Sequence, residues 1–333
     1  MTSAIRLPRF PGLARRAAPV AGLIWSLSLG SALAQETTLR AVNAFDPGTR
    51  LARNFERFIE KVNTEGKGLV HIQYIGGGAK VMHPFELGNA VRTAVVDIVN
   101  VPGSYYTNLV PEADALKLTR RTMPELRQNG GWAYLNRLHN EKMNAQLLAR
   151  TGDGVTFHLY LNRKLDKPDL HGLKLRVTPT YAAFFSALGA TPLRTPPGEV
   201  YTALERGVVD GYGFAMQGLF DLGLQEVTKY RVDPGFYSVD VNVLVNLDKY
   251  KGLRDDQRAF LDHAALWLES LDRENSRINL EEAERQAASG IERITLRPED
   301  AARYLQTAED AGWQQIKEVS PEHANRLHAL FTR

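Results

Sequence analysis

The chain has 333 residues, with 41 Lys and Arg, 38 Asp and Glu, and no cysteine. The lack of cysteine excludes disulfides, thiolate metal sites and a cysteine nucleophile. All of the basic excess lies in residues 1–34, which hold four arginines and no acid; the remainder has 37 basic against 38 acidic residues. It shows no basic stripe that would predict a nucleic-acid partner.

Residues 1–34 have the pattern of a cleaved secretory signal peptide. The four arginines are followed by an apolar run from Ala17 to Leu29, and then by Ala32-Leu33-Ala34 before Gln35. A membrane anchor is the alternative, but the apolar run is short and interrupted. The mature protein is therefore expected to begin near Gln35 and to lie untethered in the periplasm.

The mature chain opens with a strand, helix and strand. Residues 38–45 alternate in polarity, and residues 69–75 predict a second strand. The helix between them has apolar residues at helical spacing, namely Leu51, Phe55, Phe58, Ile59 and Val62. This order is typical of an α/β domain.

A weak internal repeat follows. The segment 84-PFELGNAVRTAVVDIV-99 aligns without gaps on 197-PGEVYTALERGVVDGY-212. Chance is the alternative, because joints between helices and strands use few residue types. A true repeat would give each half of the chain one α/β unit, with the strand ends at 101–105 and 212–216 facing a ligand cleft.

The C-terminal third is predicted to be helical. Residues 254–290 show helical spacing over a length that can bridge two domains, and the segment from Glu299 to Arg333 predicts two amphipathic helices.

Motifs for catalysis and metal binding are missing. The chain has no G-x-S-x-G, H-E-x-x-H or G-K-[ST] motif, and its eight histidines lack paired spacing. Asp97 and Asp210, at the two ends of the repeat, are expected to bind backbone rather than to act as acid or base. We therefore expect no enzyme activity, no metal and no cofactor.

Arg176 is the one side chain that suggests a ligand. In the predicted strand 173–177 it alternates with apolar residues, so a solvated strand face is the simplest reading. It also lies just before Thr178 and an aromatic helical segment, where a guanidinium suits a carboxylate. The residues alone leave both readings open.

The runs 172-GLKLRVTPT-180, 189-GATPLRTPPGEVYTALERGVVDG-211 and 226-EVTKY-230 resemble the solute-binding proteins of tripartite ATP-independent periplasmic (TRAP) transporters. The resemblance implies two α/β domains that close on a small organic acid, whose carboxylate forms a bidentate pair with Arg176. It also implies TRAP membrane permease subunits as partners.

The chain departs from this pattern in its polar contacts. Phe157 stands where sialic-acid-binding members have a second arginine, and Gly213-Phe214 stand where metal-dependent members have an acid and a tryptophan. The predicted ligand-binding residues are Arg176, Asn43, Phe157, Phe214, Tyr105, Pro102, Ser104, Thr178 and Tyr212. These aromatic replacements predict a monocarboxylate with an apolar or aromatic body, such as an aryl or branched-chain 2-oxo or 2-hydroxy acid.

The sequence thus predicts an α/β periplasmic binding protein fold of two domains, with a ligand cleft between them and a long bridging helix. The predicted boundaries are 1–34 for the signal peptide, 35–157 plus 240–279 for domain I, and 158–239 plus 280–333 for domain II. We expect a monomer that delivers its ligand to the permease. A ligand-sensing module for a chemoreceptor or sensor kinase, and a periplasmic enzyme, are the alternatives.

Overall fold

Strands that alternate or are wholly apolar assemble into two mixed sheets. The computed structural model describes residues 35–332, and the predicted signal peptide lies outside them. The strands are β1 (Thr37–Asn43), β2 (Val70–Gly77), β3 (Ile98–Val101), β4 (Ala145–Thr151), β5 (Thr156–Leu161), β6 (Lys174–Val177), β7 (Thr191–Arg194), β8 (Gly211–Ala215), β9 (Tyr230–Ser238), β10 (Val241–Asn246) and β11 (Glu292–Thr295). The first sheet has the order β2-β1-β3-β10-β4 and the second β11-β9-β5-β8-β6-β7. In the first sheet the parallel strands β2, β1 and β3 are followed by the antiparallel pairs of β10 with β3 and β4. In the second sheet the antiparallel pairs of β5 with β9 and β8 lie in the middle, and the pairs at both edges are parallel.

Helices cover both sheets. They are α1 (Arg50–Glu65), α2 (Leu87–Arg92), α3 (Ala115–Leu118), α4 (Met123–Gln128), α5 (Gly131–Met143), α6 (Ala182–Ala187), α7 (Val200–Glu205), α8 (Leu247–Gly252), α9 (Asp255–Ser270), α10 (Asn275–Ala288), α11 (Pro298–Val319) and α12 (Pro321–Phe331). We call each sheet with the helices packed on it a lobe. Within residues 35–332, none of these helices is both long and apolar enough to cross a bilayer.

Helix α1 shows how the local pattern builds the first lobe. Its apolar residues fall on one face, and Phe55, Phe58 and Val62 are buried against β1, β2 and helix α9. Burial of this apolar face stabilises the helix through packing more than through the intrinsic helix propensity of its residues. The predicted strand, helix and strand are thus confirmed as β1, α1 and β2.

The internal repeat is confirmed as a repeat of backbone geometry. Both copies begin with a 3-10 turn, Pro84–Glu86 and Pro197–Glu199, and continue as a six-residue helix, α2 and α7. The N–H of Val95 donates to Ala90 O over 3.0 Å, and that of Val208 donates to Ala203 O over 2.9 Å. Each copy then enters a strand of its own sheet.

The aspartates that end the two copies bind backbone, as predicted. Asp97 Oδ2 accepts from the N–H of Arg40, and Asp210 Oδ2 accepts from the N–H of Lys174, both over 2.8 Å. Asp97 also forms an ion pair with the Arg40 guanidinium at 3.1 Å. Each carboxylate therefore ties its joint to the neighbouring strand, β1 in the first sheet and β6 in the second.

The lobes are joined where the chain crosses between sheets. The segment between β4 and β5 and the segment between β9 and β10 lie side by side, with the Val239 N–H donating to Val155 O over 2.8 Å. The third connection runs through α9 and α10.

The predicted single helix over 254–290 is interrupted. A 3-10 turn, Leu271–Glu274, separates α9 from α10. Asp272 in this turn accepts from the N–H groups of Gly152 and Asp153, both over 2.9 Å, and Asn275 donates to Asp153 O over 2.8 Å. The turn therefore places hydrogen-bonding groups against the segment between β4 and β5. The spacing of apolar residues in a helix does not predict such a tertiary contact.

The predicted two C-terminal helices are confirmed as α11 and α12. Helix α11 contacts α6 and β9 of the second lobe and also α3. Helix α12 contacts α3 and α5, and α5 packs on β4 of the first sheet. The exact domain boundaries stay a prediction.

Candidate functional site

A cavity of about 30 Å³ lies between the two sheets. Residues from both lobes and from the crossing segment between β9 and β10 line it. Six of the nine predicted site residues line this cavity: Pro102, Tyr105, Phe157, Arg176, Thr178 and Phe214. The two strand ends predicted to face each other thus meet at this cavity.

Arg176 lies on β6 and its side chain is fully buried, with 0% exposure, which rules out a solvated strand face. Its Nη1 donates to the Tyr181 hydroxyl over 3.0 Å. Its Nη2 donates to Thr195 O over 2.6 Å, and its Nε to Thr195 Oγ1 over 3.4 Å. No carboxylate within residues 35–332 forms an ion pair with it. A buried cation without a counter-ion is costly, so this cavity favours an anion.

Tyr181 fixes the orientation of the guanidinium. Its hydroxyl donates to Gly213 O over 2.5 Å and therefore accepts from Arg176. The Tyr181 ring lies over Gly213 so closely that a Cβ at position 213 would come within 2.4 Å of a ring atom. The glycine is thus required by this packing, and the place leaves no room for the acidic side chain of metal-dependent relatives.

Aromatic rings form the walls. Phe157 packs against Tyr181 at 5.6 Å between ring centres, and Tyr105 meets Phe85 edge-on at 4.6 Å. Burial raises the pKa of Tyr105, while the charge of Arg176 partly opposes this rise. Tyr105 is therefore a neutral phenol beside the cation.

Three predicted site residues lie outside the lining of this cavity. Asn43 Oδ1 accepts from the N–H of Phe45 over 3.1 Å and so shapes the turn that carries Phe45 to the cavity. Ser104 donates to Asp114 over 2.6 Å and lines a separate cavity of about 290 Å³. The Tyr212 hydroxyl is 2.6 Å from Thr228 Oγ1, behind the site.

Asp240 is a lining residue that the sequence analysis missed. It lies between β9 and β10, its exposure is 1%, and burial raises its pKa to about 7. An acid inside the apolar run 236-FYSVDVNVLV-245 is the signal that could have found it.

A larger cavity of about 380 Å³ adjoins the first and shares with it Phe45, Leu51, Pro197 and Phe214. At its edge the lobes touch through Arg50, the first residue of α1. The Arg50 N–H donates to Asp221 Oδ2 over 2.5 Å, and its Nε donates to Gln217 Oε1 over 2.7 Å. The cleft is therefore bridged in this structure.

The family model of bacterial extracellular solute-binding protein, family 7, matches residues 43–318. One relative is the C4-dicarboxylate-binding periplasmic protein DctP of Rhodobacter capsulatus, 32% identical over 174 residues, which cover 51% of this chain and 46% of that protein. The alignments with the curated relatives span between 30% and 65% of their lengths.

Solved structures share the fold. The pyroglutamic-acid-binding receptor DctP7 of Bordetella pertussis superposes with a TM-score of 0.78 at 18% identity, over 89% of this chain and 99% of that one. A TRAP periplasmic solute-binding protein of Desulfovibrio salexigens with bound orotic acid gives 0.79 at 17% identity, over 88% and 97%. The predicted two-domain α/β class with a cleft is confirmed, and two helices, α9 and α10, stand in place of the predicted long bridging helix. The chain belongs to family 7 of the bacterial extracellular solute-binding proteins, the family of TRAP receptors that its sequence resembles.

Proposed function

We propose that the protein is a periplasmic receptor that binds a small organic acid between its lobes and delivers it to a TRAP membrane component. The observation that carries this proposal is Arg176, a fully buried guanidinium with no acidic partner within residues 35–332, in a cavity lined from both lobes. A carboxylate would supply the missing counter-charge and accept two parallel hydrogen bonds.

The walls favour a monocarboxylate with an apolar or aromatic body. Phe157, Phe214 and Pro102 line the same cavity as the guanidinium, so a polyol would lose hydrogen bonds to water that these three side chains do not replace. We therefore expect aryl or branched-chain acids to bind better than sugar acids. Binding needs no covalent chemistry, so the proposal is for a receptor and not an enzyme.

A thermal-shift screen of the mature protein, residues 35–333, against organic acids tests the ligand class. A ligand at a hundred times its Kd stabilises the native state by about 2.7 kcal/mol. We expect phenyl- or alkyl-substituted acids to raise the Tm and uronates to leave it unchanged. Stronger stabilisation by uronates or sialic acid would contradict the assignment of the aromatic wall.

Delivery and location need separate tests. N-terminal sequencing of protein from the periplasm should find Gln35 near the start; Met1 on a membrane-bound product would contradict export and cleavage. Deleting the gene should abolish uptake of the best ligand by cells, whereas unchanged uptake with loss of a ligand-dependent signal would indicate a sensor.

A further inference from the structure

Asp240 is the acidic residue in the lining of the cavity that contains Arg176. Both residues line the same space of about 30 Å³, and both side chains are buried. Asp240 lies on the segment between β9 and β10, where the chain passes from the second sheet to the first. The oxygens of a buried carboxylate normally accept hydrogen bonds, so an oxygen without a donor in the protein is available to a ligand.

One oxygen of this carboxylate is occupied. Oδ2 accepts from the N–H of Gly103 over 2.8 Å and from Asn242 Nδ2 over 3.3 Å. A Cβ at position 103 would come within 2.6 Å of the same oxygen, so a glycine is needed there for the carboxylate to fit. These contacts fix the side chain in one orientation.

The other oxygen, Oδ1, is buried and has no hydrogen-bond partner within the described chain. No Lys, Arg or His of residues 35–332 forms an ion pair with Asp240. The charged and titratable groups around it are Arg150, Asp114, Lys117, Tyr105 and Tyr106. A purely structural role at Gly103 would need only one acceptor, which Oδ2 already provides.

We infer that Asp240 Oδ1 accepts a hydrogen bond from the ligand, and that the ligand carries an O–H or N–H donor on the carbon next to its carboxylate. This inference rests on the proposed function, in which Arg176 binds that carboxylate. Both groups line one cavity of about 30 Å³, which adjoins the cavity of about 380 Å³; in this proposal they bind the polar head of one small molecule, and its body extends into the larger space. The site therefore selects a 2-hydroxy or 2-amino acid against the 2-oxo acid of the same skeleton.

Two matched ligand series test the selection by calorimetry. One contains 3-phenyllactate, phenylalanine, phenylpyruvate and 3-phenylpropionate; the other contains the hydroxy, amino, oxo and unsubstituted acids of the isocaproate skeleton. Measurements at about pH 8 keep Asp240 mostly ionised, since its pKa is about 7. We expect the wild type to bind the hydroxy or the amino acid of a series at least about tenfold tighter than the oxo and unsubstituted acids, because an ionised acceptor rejects a carbonyl.

Asp240→Asn supplies the decisive variant. Its carbonyl oxygen should stay on the Gly103 N–H, which places the amide N–H₂ where Oδ1 was and turns an acceptor into a donor. The preference should then invert, so that the oxo acid binds about tenfold tighter than the hydroxy acid. A loss of folding or of general packing would weaken all ligands alike.

The outcomes separate this inference from the proposed function. If the wild type binds all members of each series equally, or if both proteins rank them alike, Asp240 is structural and Oδ1 contacts buried water only. In that case, if Arg176→Ala still abolishes carboxylate binding, the receptor proposal stands without the inference about Asp240. If no carboxylate binds the wild type, both proposals are wrong. Should Asp240→Asn fail to fold by circular dichroism, the ratio of hydroxy to oxo affinity in the wild type alone decides.

Discussion

The two copies of the internal repeat have the same backbone and different chemistry. In the first lobe, strand β1 pairs with β3 and places Val42 opposite Val99. In the second lobe, strand β6 pairs with β8 and places Arg176 opposite Tyr212. These positions are equivalent, because Asp97 and Asp210 bind the residue two places earlier in each strand, Arg40 and Lys174. One scaffold thus carries an apolar side chain, Val42, in the first lobe and a buried cation, Arg176, in the second.

This difference separates what builds the site from what determines its ligand. The joints position the strand ends through backbone hydrogen bonds that depend on a few residues. The side chains at those ends then vary without disturbing the joint. The largest effects on binding should therefore come from Arg176, and the largest effects on folding from the joints.

Arg176→Ala should weaken binding of the best carboxylate by about two to four decades, a loss of roughly 3–5 kcal/mol, because the buried anion loses its counter-charge. The free energy of unfolding without ligand should stay equal or rise, since the variant no longer buries an unpaired cation. Arg176→Lys should recover only part of the affinity, because an ammonium lacks the two-pronged geometry.

The matched control is Arg163→Ala. Arg163 is exposed, so this variant should bind the carboxylate almost as tightly as the wild type does. Calorimetry on the three variants decides. Binding by Arg176→Ala within threefold of the wild type would mean that this guanidinium does not contact the ligand.

Asp97→Ala should destabilise the protein by about 2–3 kcal/mol and Asp210→Ala by about 1 kcal/mol. Both remove an acceptor from a strand N–H, but Asp97 is buried and also paired with Arg40, whereas Asp210 is half-buried. Urea unfolding of both variants measures the difference. A larger loss at Asp210 would show that the second joint, not the first, carries more of the folding free energy.

The turn inside each repeat offers a smaller, paired test. Ala94 and Gly207 occupy equivalent positions and both have a left-handed backbone, with φ of 57° and 65°. Gly207→Ala should cost about 1 kcal/mol, and Ala94→Gly should gain about half as much, because alanine is strained there and glycine is not. Opposite signs in thermal unfolding are expected; equal signs would mean that the two turns are not equivalent.

Local patterns in the sequence predicted the elements and the central cation, but not every side chain around it. Helix α1 and the two joints depend on periodicity and turn chemistry, which short segments contain. Tyr212 and Phe214 are two residues apart on β8, yet only Phe214 lines the cavity, because depth along the strand decides which ring reaches it. Asp240 and the interruption at Asp272 depend on where the crossing segments meet, and this is a property of the assembled lobes.

The contact between Arg50 and Asp221 gives helix α1 a hydrogen-bond acceptor that belongs to the opposite lobe. The first N–H groups of a helix have no partner within it, and the side chain of Thr49 does not supply one here. Separation of the lobes would expose the Arg50 amide to solvent while leaving the rest of α1 packed. The rate of hydrogen exchange at this single amide would therefore measure how often the lobes separate, and the measurement would need no engineered label.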